Sequence, residues 1–145
     1  HRIARRQRQM CIRDSTLAGR FISQTFGAAV QHIAFRSHDI FASAEALVAR
    51  GFTPLDISAN YYDDLGARFG LAPDMLERLA TYSIMYDEDA EGRFFQMYGQ
   101  QTAGEIFFEI VQRDGGYDGY GAANAPFRIT AQKRVTPTRR RPAAS

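Results

Sequence analysis

Residues 105–113 read Glu-Ile-Phe-Phe-Glu-Ile-Val-Gln-Arg, "EIFFEIVQR", and this stretch decides the fold. It is rich in β-branched and aromatic residues, too short for a typical helix, and flanked by Gly104 and by Gly115-Gly116, so it reads as a strand. Alternation puts Phe107, Glu109 and Val111 on one face and Ile106, Phe108 and Ile110 on the other. A lone carboxylate in such a strand loses solvation worth several kcal/mol unless it is paired, hydrogen-bonded or bound to a cation. Something must compensate Glu109.

Working outward, "RFFQMY" (93–98) and "SIMYD" (83–87) are two further aromatic-rich strand candidates. The acidic loop Glu88-Asp89-Ala90-Glu91-Gly92 joins them as a hairpin. Before them, "APDMLERLATY" places Pro73 near a helix start with Met75, Leu76 and Leu79 on one side. "NYYDDLGARFG" reads as a short helix capped by Asn60 and ending near Gly70. Phe52–Ile57 reads as a short strand held to an edge position by Pro54. Phe41, Ala44, Leu47 and Val48 have helical spacing and are stopped by Gly51. Val30–Arg36 reads as a strand buried on at least one face, with Val30, His32 and Ala34 on one side and Gln31, Ile33 and Phe35 on the other. The resulting order is strand, helix, strand, inserted helices and three strands. This predicts an α+β domain with a mostly antiparallel, curved sheet.

After Arg113 comes a glycine-rich loop, "DGGYDGYGAANAP", and "FRITAQ" is the last piece expected to be ordered. The following "RITAQKRVTPTRRR" shows no helical apolar stripe, so no C-terminal helix is expected.

The chain of 145 residues supports one domain. Its formal charge of +2 conceals a division, because residues 16–132 carry a net −7 while residues 1–15 and 133–145 are rich in arginine. No aromatic residues interleave with those arginines to stack bases, which argues against nucleic acid as a partner. Both ends read as basic, disordered tails. The opening His1 implies a fragment, and "MCIRDS" (10–15) resembles translated adapter sequence, so residues 1–15 are set aside as a non-native or disordered tail. The single cysteine, Cys11, lies in that tail and permits no internal disulfide. No stretch is long and apolar enough for a membrane span, and a cytoplasmic location is the expectation. No phosphate-binding glycine loop follows the first strand.

Three polar residues stand in apolar strands. His32 reads either as a hydrogen-bonded core histidine or as a metal ligand. Glu109 reads either as an edge-strand carboxylate reaching solvent or pairing with Arg113 or Arg36, or as a ligand that shares a metal with His32 across a curved sheet. Gln96, on the face of Phe94 and Tyr98, either faces water or orients a substrate carboxylate or carbonyl.

The segments "VQHIAF", "DIF", "NYYDDL", "FFQMY", "FFEIVQR" and "GYGAAN", spanning about residues 29–124, resemble the 4-hydroxyphenylpyruvate dioxygenase family of the vicinal oxygen chelate superfamily. The resemblance implies a βαβββ module, one of a pair forming a half-open barrel, with His32 and Glu109 as ligands of Fe(II). Mn²⁺ or Mg²⁺ would also accept that ligand set. It further implies a substrate pocket drawn from Gln96, Tyr98, Phe107, Tyr120 and Asn124, with a small-molecule 2-oxo acid and O₂ as partners and a parent open to homo-oligomerisation. The family takes its other histidine from the preceding module, and His38 falls where the family has no ligand. Ala125 stands where the family has an aromatic that packs on the substrate ring.

The ending "GGYDGYGAANAP" looks more like the dioxygenase-like C-terminal region of bacterial 3-dehydroshikimate dehydratase fusion proteins. Two functions follow as expectations. One is Fe(II)-dependent oxidative decarboxylation and hydroxylation of a 2-oxo acid, of the 4-hydroxyphenylpyruvate-to-homogentisate type. The other is a non-catalytic metal-binding or ligand-sensing module of a bifunctional dehydratase.

Overall fold

The strand read from "FFEIVQR" lies inside the sheet, where a neighbour on each side satisfies its backbone. The computed structural model describes residues 30–100 and 106–135, together with Gly19. The elements are β1 His32–Arg36, α1 Ile40–Ala49, α2 Ala59–Phe69, α3 Pro73–Thr81, β2 Met85–Glu88, β3 Gly92–Tyr98 and β4 Phe107–Gly115. A 3₁₀ turn, Ala122–Asn124, then leads into α4, Ala125–Val135. The sheet order is β1-β4-β3-β2. β4 pairs antiparallel with β3 and parallel with β1, and β2 and β3 form the expected hairpin. Asp89 closes its turn by accepting from the N–H groups of Glu91 and Gly92, both at 2.9 Å.

Register sorts the sheet into two faces. On one, Phe95, Met97, Ile110 and Tyr86 pack against Ile40, Ala44, Leu55, Leu65 and Leu79, so α1, α2 and α3 cover this side. Phe41 of α1 and Phe69 of α2 meet Phe95 and Tyr86 edge-on. Helix α1 is fixed to β4 at its start, where the Ile40 N–H donates to Gln112 Oε1 at 2.6 Å, and Asp39 caps the Ala42 N–H at 3.0 Å. The other face carries Gln96, Tyr98, Phe107, Glu109 and Val111, and α4 lies over part of it.

Four expectations are corrected. Phe52–Ile57 is not a continuous strand; it meets the end of β3 through a single bridge, Pro54 to Gly99, flanked by Leu55 N–H to Tyr98 O at 2.7 Å and Gln100 N–H to Thr53 O at 3.1 Å. Pro54 has no N–H to extend a ladder. Asn60 lies inside α2, whose cap is Ser58, while Gly70 ends the helix as expected in a left-handed conformation. Strand β1 is exposed along its whole length, Phe35 to 51 %, because it is the edge strand and contributes nothing to the core under α1–α3. Finally, the chain after Asn124 is a helix. Pro126 fits its first turn, where no N–H is needed, and burial of Ala131 and Gln132 with Phe127 against Tyr61 supplies what an amphipathic stripe would have.

The expected tail residues 1–15 and 136–145 lie outside the described residues, and residues 133–135 form the last turn of α4. No helix among the described residues is long and apolar enough to cross a membrane.

Leu79 is fully buried where α3 meets the core. Leu79→Ala is expected to lower unfolding stability by about 2–5 kcal/mol in urea titrations; a loss under about 1 kcal/mol would contradict this packing.

Candidate metal centre

Glu109 meets its compensation from three sides. β4 is central, so the carboxylate has no route to solvent at a sheet edge and is only 5 % exposed. Its Oε2 lies 2.8 Å from His32 Nε2, and its Oε1 accepts from Gln96 Nε2 at 2.8 Å. Tyr98, its cross-strand partner in the register, adds a hydroxyl hydrogen bond. Neither Arg113 nor Arg36 is the partner: the Arg113 guanidinium lies over Phe94 and donates to Gly119 O.

His32 is neither a core histidine nor free. Parallel pairing sets it opposite Phe107, on which its ring stacks at 4.7 Å, and its side chain stays 39 % exposed. The sheet thus brings two donor atoms of different strands to one point with open space beside them. Adjacent donors around an octahedral ion with bonds of about 2.1 Å stand about 3 Å apart, so the His32–Glu109 pair has the spacing of two neighbouring ligands. The set of imidazole and carboxylate suits Fe(II), Mn²⁺ or Mg²⁺. Among the described residues, no group of three or more His, Cys, Asp or Glu that could hold a metal ion converges, and the His32–Glu109 pair offers two donors.

Behind Glu109 runs a buried polar chain. Gln96, 3 % exposed, donates to the Tyr98 hydroxyl at 3.0 Å as well as to Glu109, and its Oε1 accepts from Asn124 Nδ2 at 2.9 Å. The Tyr61 hydroxyl accepts from the Tyr86 N–H at 2.7 Å and has its own proton within reach of Asn124 Oδ1 at 2.9 Å and Tyr86 O at 3.1 Å. Burial, then the charge and hydrogen bond of Glu109, push the Tyr98 hydroxyl well above the usual tyrosine range, and burial does the same for Tyr61. Both remain neutral hydroxyls, able to hold the chain of donors in one direction.

Of the residues singled out in the sequence, His32, Glu109, Gln96, Tyr98, Phe107 and Asn124 form one cluster. Tyr120 does not join it. The Tyr117 hydroxyl accepts from the Gly121 N–H at 3.1 Å and donates to Asp87 at 2.7 Å, and this turn leaves Tyr120 83 % exposed. Four further contributors were not singled out in the sequence, although Tyr61 and Gly121 fall within the segments "NYYDDL" and "GYGAAN". Tyr61 arrives from α2 through tertiary packing. Arg128 and Gln132 sit on the helix that patterning missed. Gly121 looked like one loop glycine among several, yet its φ is +59° and a Cβ there would lie 2.2 Å from Gln96 Oε1.

A four-stranded mixed sheet of this order, with a His and a Glu on one open face, defines a vicinal-oxygen-chelate module. No protein-family model matches the chain. It is homologous both to the 4-hydroxyphenylpyruvate dioxygenases and to bacterial 3-dehydroshikimate dehydratases. It is 43 % identical over 122 residues to a 3-dehydroshikimate dehydratase of Pseudomonas aeruginosa, covering 83 % of this chain and 19 % of that protein. It is 36 % identical over 110 residues to a probable 4-hydroxyphenylpyruvate dioxygenase 2 of Aspergillus fumigatus, covering 72 % and 27 %.

Among solved structures, a xylose isomerase-like TIM barrel/4-hydroxyphenylpyruvate dioxygenase fusion protein matches with a TM-score of 0.68 and 44 % identity, covering 72 % of this chain and 17 % of that one. A mutant of 4-hydroxymandelate synthase from Streptomyces coelicolor matches with a TM-score of 0.70 and 31 % identity, covering 81 % and 33 %. The chain therefore spans between a sixth and a third of the length of these relatives.

Gly121→Ala is expected to lower unfolding stability by at least about 1–2 kcal/mol, from the left-handed backbone alone, and to displace Gln96 from Glu109. Thermal unfolding and divalent-metal titration of the intact polypeptide check both. Wild-type metal affinity in the variant would show that Gln96 does not orient the carboxylate.

Proposed function

We propose that this module supplies two of the ligands of a divalent metal centre, Fe(II) in the first instance, in a protein that oxidatively decarboxylates and hydroxylates a 2-oxo acid. The observation that carries this reading is the convergence of His32 Nε2 and Glu109 Oε2 at 2.8 Å on an open face, with Glu109 held from behind by Gln96 and Tyr98. The homology to 4-hydroxyphenylpyruvate dioxygenases supports the reaction class.

When bound, the metal would supply O₂ activation and a chelating point for the oxo acid. The chain's own residues do the rest. His32 and Glu109 hold the ion, one neutral donor and one anion. Gln96 and Tyr98 occupy the carboxylate's remaining lone pairs, which fixes its rotamer and keeps its charge directed at the ion. Phe107 and Tyr98 wall the site with apolar surface and limit water beside it. Asn124 and Tyr61 hold Gln96 in the one orientation that presents its NH₂ to Glu109.

A second reading, a metal-binding or ligand-sensing module without catalysis in a dehydratase fusion, draws on the 43 % identity to the Pseudomonas dehydratase and on the two-donor site. Fe(II)-dependent oxygen uptake with added 2-oxo acids, 4-hydroxyphenylpyruvate first among them, supports catalysis. Bound metal without uptake supports the second reading.

Both readings share one prediction. In the intact polypeptide, His32→Ala and Glu109→Ala each remove the bound divalent ion, as read by elemental analysis of protein dialysed against metal. Unchanged metal content in both variants would overturn the assignment.

A further inference from the structure

We infer that Arg128 makes this site selective for a 2-oxo acid whose far end carries a second anionic group, a carboxylate in the first instance. The inference rests on the metal and oxo-acid reading above and names its substrate class. The guanidinium of Arg128, half-buried on α4, lies 5.4 Å from the centre of the Tyr98 ring and 5.7 Å from that of Phe107. These are the two rings that flank the His32 imidazole, at 6.1 and 4.7 Å. The cation and the metal-ligand pair therefore share one aromatic wall.

Among the described residues Arg128 takes part in no ion pair. Its Nη1 donates to Gln132 Oε1 at 2.8 Å, which fixes the head group without neutralising it. Gln132 is 1 % exposed, and its Nε2 is buried with no hydrogen-bond partner. A half-buried guanidinium held in place without an acidic partner is a costly arrangement for a purely structural group, and a ligand carboxylate would supply the partner.

Charge points the same way. With a divalent ion on neutral His32 and anionic Glu109, and the guanidinium nearby, these groups leave two surplus positive charges. A dianionic oxo acid balances them, whereas a monoanion leaves the guanidinium uncompensated. Helix α4 offers the site no ring in exchange. Ala125 stands at its start, and Phe127 is turned into the core, 4.9 Å from Tyr61. What α4 presents over Tyr98 and Phe107 is a planar cation suited to bidentate carboxylate recognition.

The test uses the intact polypeptide loaded with Fe(II) without oxygen, titrated with 2-oxoglutarate and with 2-oxohexanoate, a chain of similar length without the second charge. Wild type is expected to bind 2-oxoglutarate at least about tenfold tighter. Arg128→Met removes that preference by weakening 2-oxoglutarate alone, and Arg128→Lys retains part of it. Equal wild-type affinity for the two acids overturns the inference and leaves the oxo-acid reading standing, as does an equal loss of both in Arg128→Met. Should Arg128→Met fail to fold, the wild-type ratio and Arg128→Lys decide. Binding of neither acid to metal-loaded protein overturns the inference together with the reading beneath it.

Discussion

The burial of one carboxylate constrains much of this structure. Glu109 sits on the central strand, with β1 on one side and β3 on the other, and cannot reach water around an edge. Each neighbour answers it with a donor: His32 from β1, Gln96 and Tyr98 from β3. Because strand registers decide which side chains share a face, a slip of one residue in either pairing would leave the charge facing an apolar side chain. The buried charge and the sheet register therefore specify each other.

The same constraint extends beyond the sheet. Gln96 can serve Glu109 only with its own carbonyl oxygen occupied, and Asn124 from the 3₁₀ turn supplies that donor. Asn124 in turn leans on Tyr61, which α2 delivers past the edge of β2. Gly121 gives the loop the backbone conformation and the space that Gln96 needs. A polar chain of this kind is worth more whole than in parts, since each member left unpaired in a buried setting costs about as much as a hydrogen bond contributes, or more. It joins the hairpin, the helical insertion and the C-terminal turn to a single site.

The two faces of the sheet do different work. The face under α1–α3 is apolar and closed, and it holds the module together. The other mixes aromatic side chains with a few buried polar groups, is partly covered by α4 and is open at His32, the arrangement expected of a surface that takes a ligand. Strand β1 serves only the second of these faces and is secured in the sheet to β4 alone. Because His32 sits on the edge strand, the geometry of its contact with Glu109 depends on the β1–β4 pairing.

Local patterning determined much of the fold. The strand around Glu109, the hairpin at Asp89–Gly92, α1 and its stop, and α3 with Pro73 at its start were all legible, because alternation, helical spacing and turn chemistry act within a few residues. So was the oddity of Glu109, since a carboxylate in an apolar strand demands a partner. Its partner was only one option among several: 76 residues separate it from His32, and no spacing rule spans that distance. Parallel pairing of β1 with β4 decided the matter. Helix α4 was missed for a related reason. Its stability comes from Phe127, Ala131 and Gln132 packing against the rest of the chain, not from an amphipathic stripe that a sequence displays. With α4 went Arg128, whose place over Tyr98 and Phe107 exists only once the helix is docked. Sequence alone determined which residue types must find partners; the tertiary structure decided which partners they found, because desolvation is set by position in the folded chain and not by neighbours in sequence.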